Sequence, residues 1–420
     1  MHVTSTEHEA TLLATVEGKK AGPLSYPNFR RVWFNNLLYM LVANAQRFTF
    51  GWFVLDGLEQ KQKWQAVAAF ALGIPIPFIV MHAGALADRV DRRKLLMVSQ
   101  GILWLIVVIT TILVATDSLT LVGVIGLALL SGCAQALGQP VRSSLIPFLV
   151  PREILFNAIA VNAIAMTMSL ILAAPITKIV GDQFGFEGAF GLQVILLTIG
   201  MIFLVRVHID AHEKKLEGGQ VWESVKSAVA HVVADIELRV LFLLLVVSSL
   251  TVNAAISVTL QAFVRDELGR DGGDVAFPMA LMGVGIAMSS VVLMRKGEMR
   301  RKGAVFQRAI FCGSSIVTLM GFATEFWQLL PLSFIMGTAG GFYINMNQGL
   351  IQANTPPEMM GRIMGLYVMC QAGFMPIGAL VIGGIASQVG IGVTISLCGA
   401  TCLTFVIWTL IRYPQLRDLE

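Results

Sequence analysis

Residues 94–116 read KLLMVSQGILWLIVVITTILVAT and carry no charged side chain after Lys94. The hydrocarbon core of a bilayer is about 30 Å thick, and a helix of about 20 apolar residues crosses it. A helix also satisfies its own backbone hydrogen bonds, which lipid cannot do. This stretch is therefore predicted to be a transmembrane helix.

Apolar stretches of similar length recur along the whole chain. The chain has 420 residues, of which 56% are hydrophobic and 13% charged, whereas soluble domains are about a quarter charged. We predict an all-α membrane protein with twelve transmembrane helices, six on each side of a polar stretch. The predicted spans are 31–55, 64–87, 94–116, 119–141, 154–180, 187–207, 237–261, 274–294, 304–323, 327–350, 361–386 and 390–411.

The basic residues predict the orientation of these spans. With the N-terminus inside, few of the 30 Lys and Arg residues fall in outer loops or in spans, and most lie in inner segments. The exceptions are Lys61, Lys63, Arg265 and Arg270 in outer loops and Arg47 and Lys178 in spans. Because basic residues favour the cytoplasmic side, we expect both termini in the cytoplasm and the chain in a bacterial inner (plasma) membrane. This role accounts for the net charge of +4 without a nucleic-acid partner.

The two halves of the chain resemble each other. Three segments recur in order, the first two at an offset of 208 and the third at 205: 31–34 with 239–242, 91–94 with 299–302, and 151–185 with 356–390. Duplicated six-helix halves are a common transporter plan, with the substrate site between them near the midplane. We therefore expect two pseudo-symmetric six-helix bundles at 31–207 and 237–411. Cytoplasmic tails are expected at 1–30 and 412–420.

Between the bundles, residues 208–236 form a polar linker. Apolar residues recur there at helical spacing, which predicts an amphipathic helix on the membrane surface. They are Val221, Trp222, Val225, Val229, Val232 and Ile236.

The remaining composition argues against an enzyme or a metal protein. All five cysteines lie in apolar runs, where small packing residues are more common than metal ligands. No phosphate-binding loop with the Gly-x-x-x-x-Gly-Lys pattern occurs, so we expect no ATP hydrolysis. We predict no metal and no cofactor.

Four motifs carry a family resemblance. Residues 84–94, GALADRVDRRK, follow the second span and resemble the loop 2–3 signature of the major facilitator superfamily. Residues 27–33 (PNFRRVW), the proline-containing 72–77 and 356–363 (PPEMMGRI) resemble its enterobactin-exporter and macrolide-efflux branch. The resemblance implies a secondary transporter with a small-molecule substrate and, by default, a proton gradient as its energy source.

The resemblance also implies a gating role for the 84–94 loop. Gly84 permits close helix approach, and the acid matching Asp88 contacts the start of the eleventh helix in this family. Here that contact would involve Gly361 and Arg362, and it would steady the outward-open state. Arg89, Arg92 and Arg93 complete the loop, and Asp88 could instead pair with Arg92. The alternative is a loop that only sets topology.

A second group of candidates consists of polar residues inside spans. Arg47 lies near the middle of the first span, where insertion of an arginine costs about 2.5–3.5 kcal/mol. It either attracts anionic or polar substrate groups or pairs with Asp56 or a polar residue of another helix. Other cavity candidates, which could equally be interhelical hydrogen bonds, are Asn36, Tyr39, Asn44, Gln135, Gln139, Thr251, Asn253, Tyr343, Asn345 and Asn347.

The fifth span departs from the signature that is linked to antiport in this family. Family exporters carry a Gly-Pro…Gly-Gly signature there, whereas this chain has Pro175 followed by Lys178 at a glycine position. Lys178 either pairs with Asp182 four residues on or reaches lipid headgroups. The coupling candidates are therefore Asp56, Lys178 and Asp182, of which we favour Asp56.

From these features we expect a monomeric, lipid-embedded transporter. The leading hypothesis is proton-coupled efflux of a small amphipathic compound, such as a drug or a siderophore-like metabolite. The alternatives are an importer or facilitator of an anionic metabolite and a non-transporting membrane sensor.

Overall fold

The computed structural model describes residues 22–79, 92–145, 149–151, 154–207, 221–296 and 301–419. Within these ranges the chain forms helices and no β-strand. The first four transmembrane helices are α1 (Pro27–Trp52), α2 (Gln62–Gly73, resuming at 75–79), α3 (Arg92–Ala115) and α4 (Leu121–Leu145). A single turn of π-helix, Phe53–Gly57, extends α1.

Residues Leu155–Val205 are divided at Gly185 into α5 (155–184) and α6 (186–205). The linker helix, Val221–Ala234, follows. The second half comprises α7 (Ile236–Asp266, with a π turn at Ser249–Asn253), α8 (Ala276–Lys296), α9 (Lys302–Met320), α10 (Phe326–Ala353), α11 (Met360–Val389) and α12 (Ile391–Arg412). Asp235 caps α7, since its side chain accepts hydrogen bonds from the Glu237 and Leu238 amides at 2.8 and 3.0 Å.

Two glycines make the same connection in each half. Gly185 joins α5 to α6 with a φ of 69°, and Gly390 joins α11 to α12 with a φ of 93°. Side chains other than glycine rarely adopt this left-handed region. The two residues correspond at the sequence offset of 205, so the internal repeat extends to backbone conformation.

The helices are suited to a membrane. Nine segments of the described chain are long and apolar enough to cross a bilayer, and one of them, Asn157–Val205, contains both α5 and α6. The more polar α1 and the interrupted α2 bring the number of helices to twelve. The prediction of an all-α protein with twelve transmembrane helices in two six-helix bundles is confirmed.

The helices end at two faces of the molecule. We call the face where α1 begins and α12 ends the proximal face. The distal face is the opposite one, where the Phe53–Gly57 turn, Gly185 and Gly390 lie. That the proximal face is cytoplasmic stays a prediction.

The halves meet mainly where α2 packs on α11 and where α5 packs on α8. Small residues permit these close approaches, because a Cβ at Gly73 would lie 2.4 Å from Pro376 and one at Gly283 would lie 2.6 Å from Ile171. Toward the distal face the buried side chains of Gln65 and Gln261 share a hydrogen bond of 2.8 Å across the interface.

Candidate functional site

Polar side chains of α1 connect it to α5. The Asn36 amide donates to the Asn162 side chain at 3.2 Å, and the Asn44 amide donates to the Ser169 hydroxyl at 3.2 Å. The Asn44 amide also reaches the Met40 carbonyl of its own helix at 3.1 Å. These predicted cavity residues therefore also hold helices together.

Arg142, near the proximal end of α4, organises a polar centre that joins four helices. One guanidinium nitrogen donates to the side-chain oxygens of Asn35 and Asn36 at 3.1 and 3.2 Å. The other terminal nitrogen donates to the Gln100 oxygen at 3.3 Å. Asn35 in turn donates to Gln100 and to the Gly200 carbonyl, at 3.0 and 2.8 Å. Arg142 is only 5% exposed.

Tyr39 completes this centre through its ring. The Arg142 guanidinium carbon lies 3.3 Å from the Tyr39 ring centroid, which is a cation–π contact. The guanidinium covers the ring face, and the Tyr39 hydroxyl at the edge of the ring has no hydrogen-bond partner. The Nε of Arg142 and the side-chain nitrogen of Gln100 also have none. We call Asn35, Asn36, Tyr39, Gln100 and Arg142 the arginine centre.

Arg47 lies farther along α1. Its side chain is exposed although protein surrounds it, as expected of a residue that faces a space inside the molecule. It is within electrostatic range of Tyr39. Among the described residues no acid contacts either Arg47 or Arg142, since the ion pairs of this part of the chain involve other cations. Asp56, one partner suggested by the sequence, lies beside Arg265 instead.

The α4 candidates differ in their surroundings. Gln135 is buried and donates to the Gln46 side chain at 2.8 Å, and Gln46 donates to Ser131 at 3.3 Å. This chain of hydrogen bonds ties α4 to α1. Gln139 is exposed.

The candidates of the second half are mostly engaged in helix packing. Tyr343 is buried, shares a 2.6 Å hydrogen bond with the Ser248 hydroxyl and stacks on Phe306. The buried Asn347 donates to a backbone carbonyl of α7 at 3.4 Å. Thr251 donates within its own helix, Asn345 is exposed and donates to Ser290 at 3.4 Å, and Asn253 is partly buried in the π turn of α7.

The predicted gating loop falls largely outside the described residues, which exclude Gly84, Asp88 and Arg89. Arg92 begins α3, and Arg93 donates to the Val205 carbonyl at the end of α6. At the start of α11, Gly361 and Arg362 are exposed, and Arg362 donates to Ser227 of the linker helix at 3.3 Å.

At the distal face Lys178 lies among three aspartates. It pairs with Asp182, as one predicted alternative has it, and approaches Asp271 and Asp274 of the other half at 3.8 and 3.6 Å. Its ammonium also lies 5.2 Å from the Trp52 ring centroid. Gly273 makes room for this arrangement, because a Cβ there would lie 2.6 Å from the Lys178 side chain.

Asp56 and Arg265 form a second contact between the halves. Arg265 donates to the carbonyls of Leu55 and Gln60 and lies 3.8 Å from the Asp56 carboxylate. The Gly272 amide donates to Asp56 at 3.1 Å. Lys178, Asp271, Asp274, Asp56 and Arg265 together are called the distal clamp.

The environment of Asp56 shifts its protonation. Burial and the nearby Asp271 carboxylate raise the pKa of Asp56 from 3.8 to about 6, Arg265 and the Gly272 amide oppose this rise, and Asp266 adds to it. The acid therefore titrates close to neutral pH while the clamp is closed.

A separate groove of about 420 Å³ lies among α8, α9 and α10, away from these residues. It is lined mainly by apolar side chains, and the exposed Arg308 lies at it. Lipid tails are suited to such a surface, in agreement with the expected lipid environment.

The sequence interpretation missed Arg142 and Arg265 as site residues. The fourth span was predicted to end at residue 141, so Arg142 was taken as a topogenic loop residue, but α4 continues to Leu145. Arg265 was assigned to an outer loop. A polar residue within one turn of a span end was the available signal for both.

Comparisons with known proteins agree with this architecture. A family model described as transmembrane secretion effector matches residues 19–420. Curated relatives include the uncharacterized MFS-type transporter YkuC of Bacillus subtilis (22% identical, covering 81% of each chain). Macrolide efflux protein A of Streptococcus pyogenes is 21% identical and covers 80% of this chain and 83% of its own. The enterobactin exporter EntS of Shigella flexneri is 20% identical over 84% of each.

Among solved structures, the nucleoside transporter NupG in a D323A mutant form superposes with a TM-score of 0.76 at 13% identity, covering 92% of this chain and 99% of its own. At that identity it supports the fold alone. The family match spans nearly the whole chain and agrees with the predicted superfamily and branch. The protein is therefore a multi-pass membrane transporter of the major facilitator superfamily, not an enzyme, and it belongs to the transmembrane secretion effector family.

Proposed function

We propose that this transporter exports a small amphipathic compound across the bacterial inner membrane by alternating access, driven by protons. The names of two relatives describe macrolide efflux and enterobactin export, which supports the direction and a drug-like or siderophore-like substrate. The proximal face is then cytoplasmic, as the distribution of basic residues predicts.

The distal clamp is the observation that carries this proposal. It joins the halves through ion pairs and hydrogen bonds, and its bridging pairs are the buried Lys178 with the partly exposed Asp271 and the partly exposed Asp56 with Arg265. Such contacts exchange readily with water, so they can break when the distal face opens and reform when it closes. Alternating access requires a contact of this kind.

Asp56 is the group on which we propose that protons act. Its pKa is about 6 in the closed clamp, and opening would return it toward 3.8 in water. Protonation therefore favours the closed form, and that preference is lost as the pH rises through about 6. A proton taken up from the distal side would close the clamp after substrate release.

Transport into everted membrane vesicles tests this function. With a proton gradient imposed, we expect accumulation of labelled enterobactin, whose catechol oxygens can ionise, abolished by a protonophore and reduced in Asp56→Asn. Lys61→Gln, at an exposed position of the same face, is the matched control.

The alternative is import or facilitation of an anionic metabolite, which Arg47 favours because no acid of the described chain contacts it. Uptake of labelled organic anions into right-side-out vesicles, with no accumulation in everted ones, would establish the alternative and refute export. Absence of flux in both orientations would favour a sensor.

A further inference from the structure

We propose that Arg47 and the arginine centre bind the anionic group of the substrate, so that the transported compound is an amphipathic oxyanion, such as a carboxylate. This inference rests on the proposed transport through the space between the halves. It adds a substrate class to that function and does not depend on the direction of transport.

The first argument concerns charge. Arg47 and Arg142 lie within membrane helices, and no acid of the described chain contacts either one. Amide oxygens hold Arg142 in position without neutralising it. A cation in a medium of low dielectric constant attracts an anion strongly, so the region favours an anionic ligand.

The second argument concerns hydrogen-bonding capacity. In the arginine centre the side-chain oxygens of Asn35, Asn36 and Gln100 already accept hydrogen bonds. The groups without a partner can all donate: the Tyr39 hydroxyl, the Arg142 Nε and the Gln100 side-chain nitrogen. Buried donors without acceptors are costly, and an oxyanion brings only acceptors. The unsatisfied groups therefore match an oxyanion in kind.

The third argument concerns the opposite half. Its membrane-embedded candidates Thr251 and Asn253 are neutral, and Tyr343 packs against Phe306. A ligand bound by its charged group to the first half would therefore meet a neutral, mostly apolar surface on the second. This asymmetry favours an amphipathic molecule with one anionic end.

Arginine modification tests the proposal on the full-length protein in detergent, without a pH gradient. Phenylglyoxal modifies exposed guanidinium groups, and the rate at Arg47 can be followed by mass spectrometry. The competitors are three aryl carboxylates of increasing size and their carboxamides, which match them in shape. Arg308, exposed in the separate groove, is an internal control in every sample.

We expect at least one acid to slow modification of Arg47, by about tenfold at ten times its Kd, while its amide does not. Modification of Arg308 should not change. In Arg142→Lys, which keeps the charge but loses the guanidinium fork, the protection should weaken. Equal protection by an acid and its amide, or no protection by any acid, would overturn the proposal.

A second variant keeps the test possible if Arg142→Lys fails to fold. If Arg142→Lys does not give a monodisperse protein, Tyr39→Phe replaces it, since it removes one unpartnered donor and should also reduce protection. Gradient-driven efflux without acid protection would refute only the anion site. Protection without accumulation in everted vesicles would refute only the proposed direction and coupling.

Discussion

Lys178 at the distal face and Arg142 in the arginine centre are equally buried, at 5% exposure each, yet of the two only Lys178 has acids beside it among the described residues. Lys178 has three aspartates around it, two of them from the other half of the chain. Arg142 contacts amide oxygens and an aromatic ring. Acids beside a buried cation neutralise its charge. Neutral dipoles that hydrogen-bond to a cation hold it in place without neutralising it. We infer that the first serves to join the halves and the second to bind a ligand.

Replacing Arg142 should have the largest effect on the protein. Arg142→Gln leaves the side-chain oxygens of Asn35 and Asn36 without their donor, while Gln100 keeps the hydrogen bond from Asn35, and each unsatisfied buried group costs about 1–3 kcal/mol. Because loss of the buried charge offsets part of this cost, we expect the free energy of unfolding to fall by about 3 kcal/mol. Denaturant titration in mixed micelles measures it.

Arg308→Gln is the matched control for this variant, because it makes the same substitution at an exposed position. If Arg142→Gln lowers the free energy of unfolding as little as the control does, the arginine centre does not stabilise the first half. The comparison between the two cations would then fail.

Replacing Lys178 should lower the free energy of unfolding by less, and the size of this decrease should depend on the salt concentration. Lys178→Gln leaves the carboxylates of Asp182, Asp271 and Asp274 without their shared cation, and Asp182 and Asp271 are half exposed, at 51% and 46%. We expect the free energy of unfolding to fall by about 1 kcal/mol at 0.1 M salt. The decrease should be smaller at 1 M salt, where the Debye length is about 3 Å. The cost of Arg142→Gln should not change with salt, since its partners are uncharged.

The titration of Asp56 should move the distal face between closed and open forms. Because its pKa is raised to about 6 in the closed clamp, closure should increase as the pH falls from 7 to 5. Spin labels at Glu59 and Leu268, introduced after replacement of the native cysteines, report the distance between the halves. Asp56→Asn should stay closed across this range. A distance that varies with pH equally in that variant would exclude Asp56 as the titrating group.

The smallest effect is expected at the Tyr39 hydroxyl. Since this group has no hydrogen-bond partner, Tyr39→Phe should change the free energy of unfolding by less than about 0.5 kcal/mol. It should still weaken binding of an aryl carboxylate several-fold, measured by calorimetry. A variant that binds the acid as tightly as the unmodified protein would show that the hydroxyl does not face the ligand.

The two regions also differ in how far the sequence predicted them. The spans, the repeat and the polar residues of α1 follow from hydropathy and spacing, so Asn36, Tyr39, Asn44 and Arg47 were found within one helix. The distal clamp depends on contacts between the halves. The pairing of Lys178 with Asp271 and Asp274 and of Asp56 with Arg265 therefore required the structure. Arg142 was missed because a basic residue after an apolar run usually lies in a loop.

The most direct test is to measure Arg47→Gln and Lys178→Gln side by side for two properties: the melting temperature without ligand, and the Kd for an aryl carboxylate that protects Arg47. We predict opposite effects. Arg47→Gln should keep the melting temperature, because it removes a charge that no acid in the described part of the chain contacts, and should weaken the Kd about tenfold or more, as expected for the loss of a charged hydrogen bond. Lys178→Gln should lower the melting temperature and leave the Kd unchanged. If both variants change the same property, the cations of the two regions are not functionally distinct, and the account is contradicted.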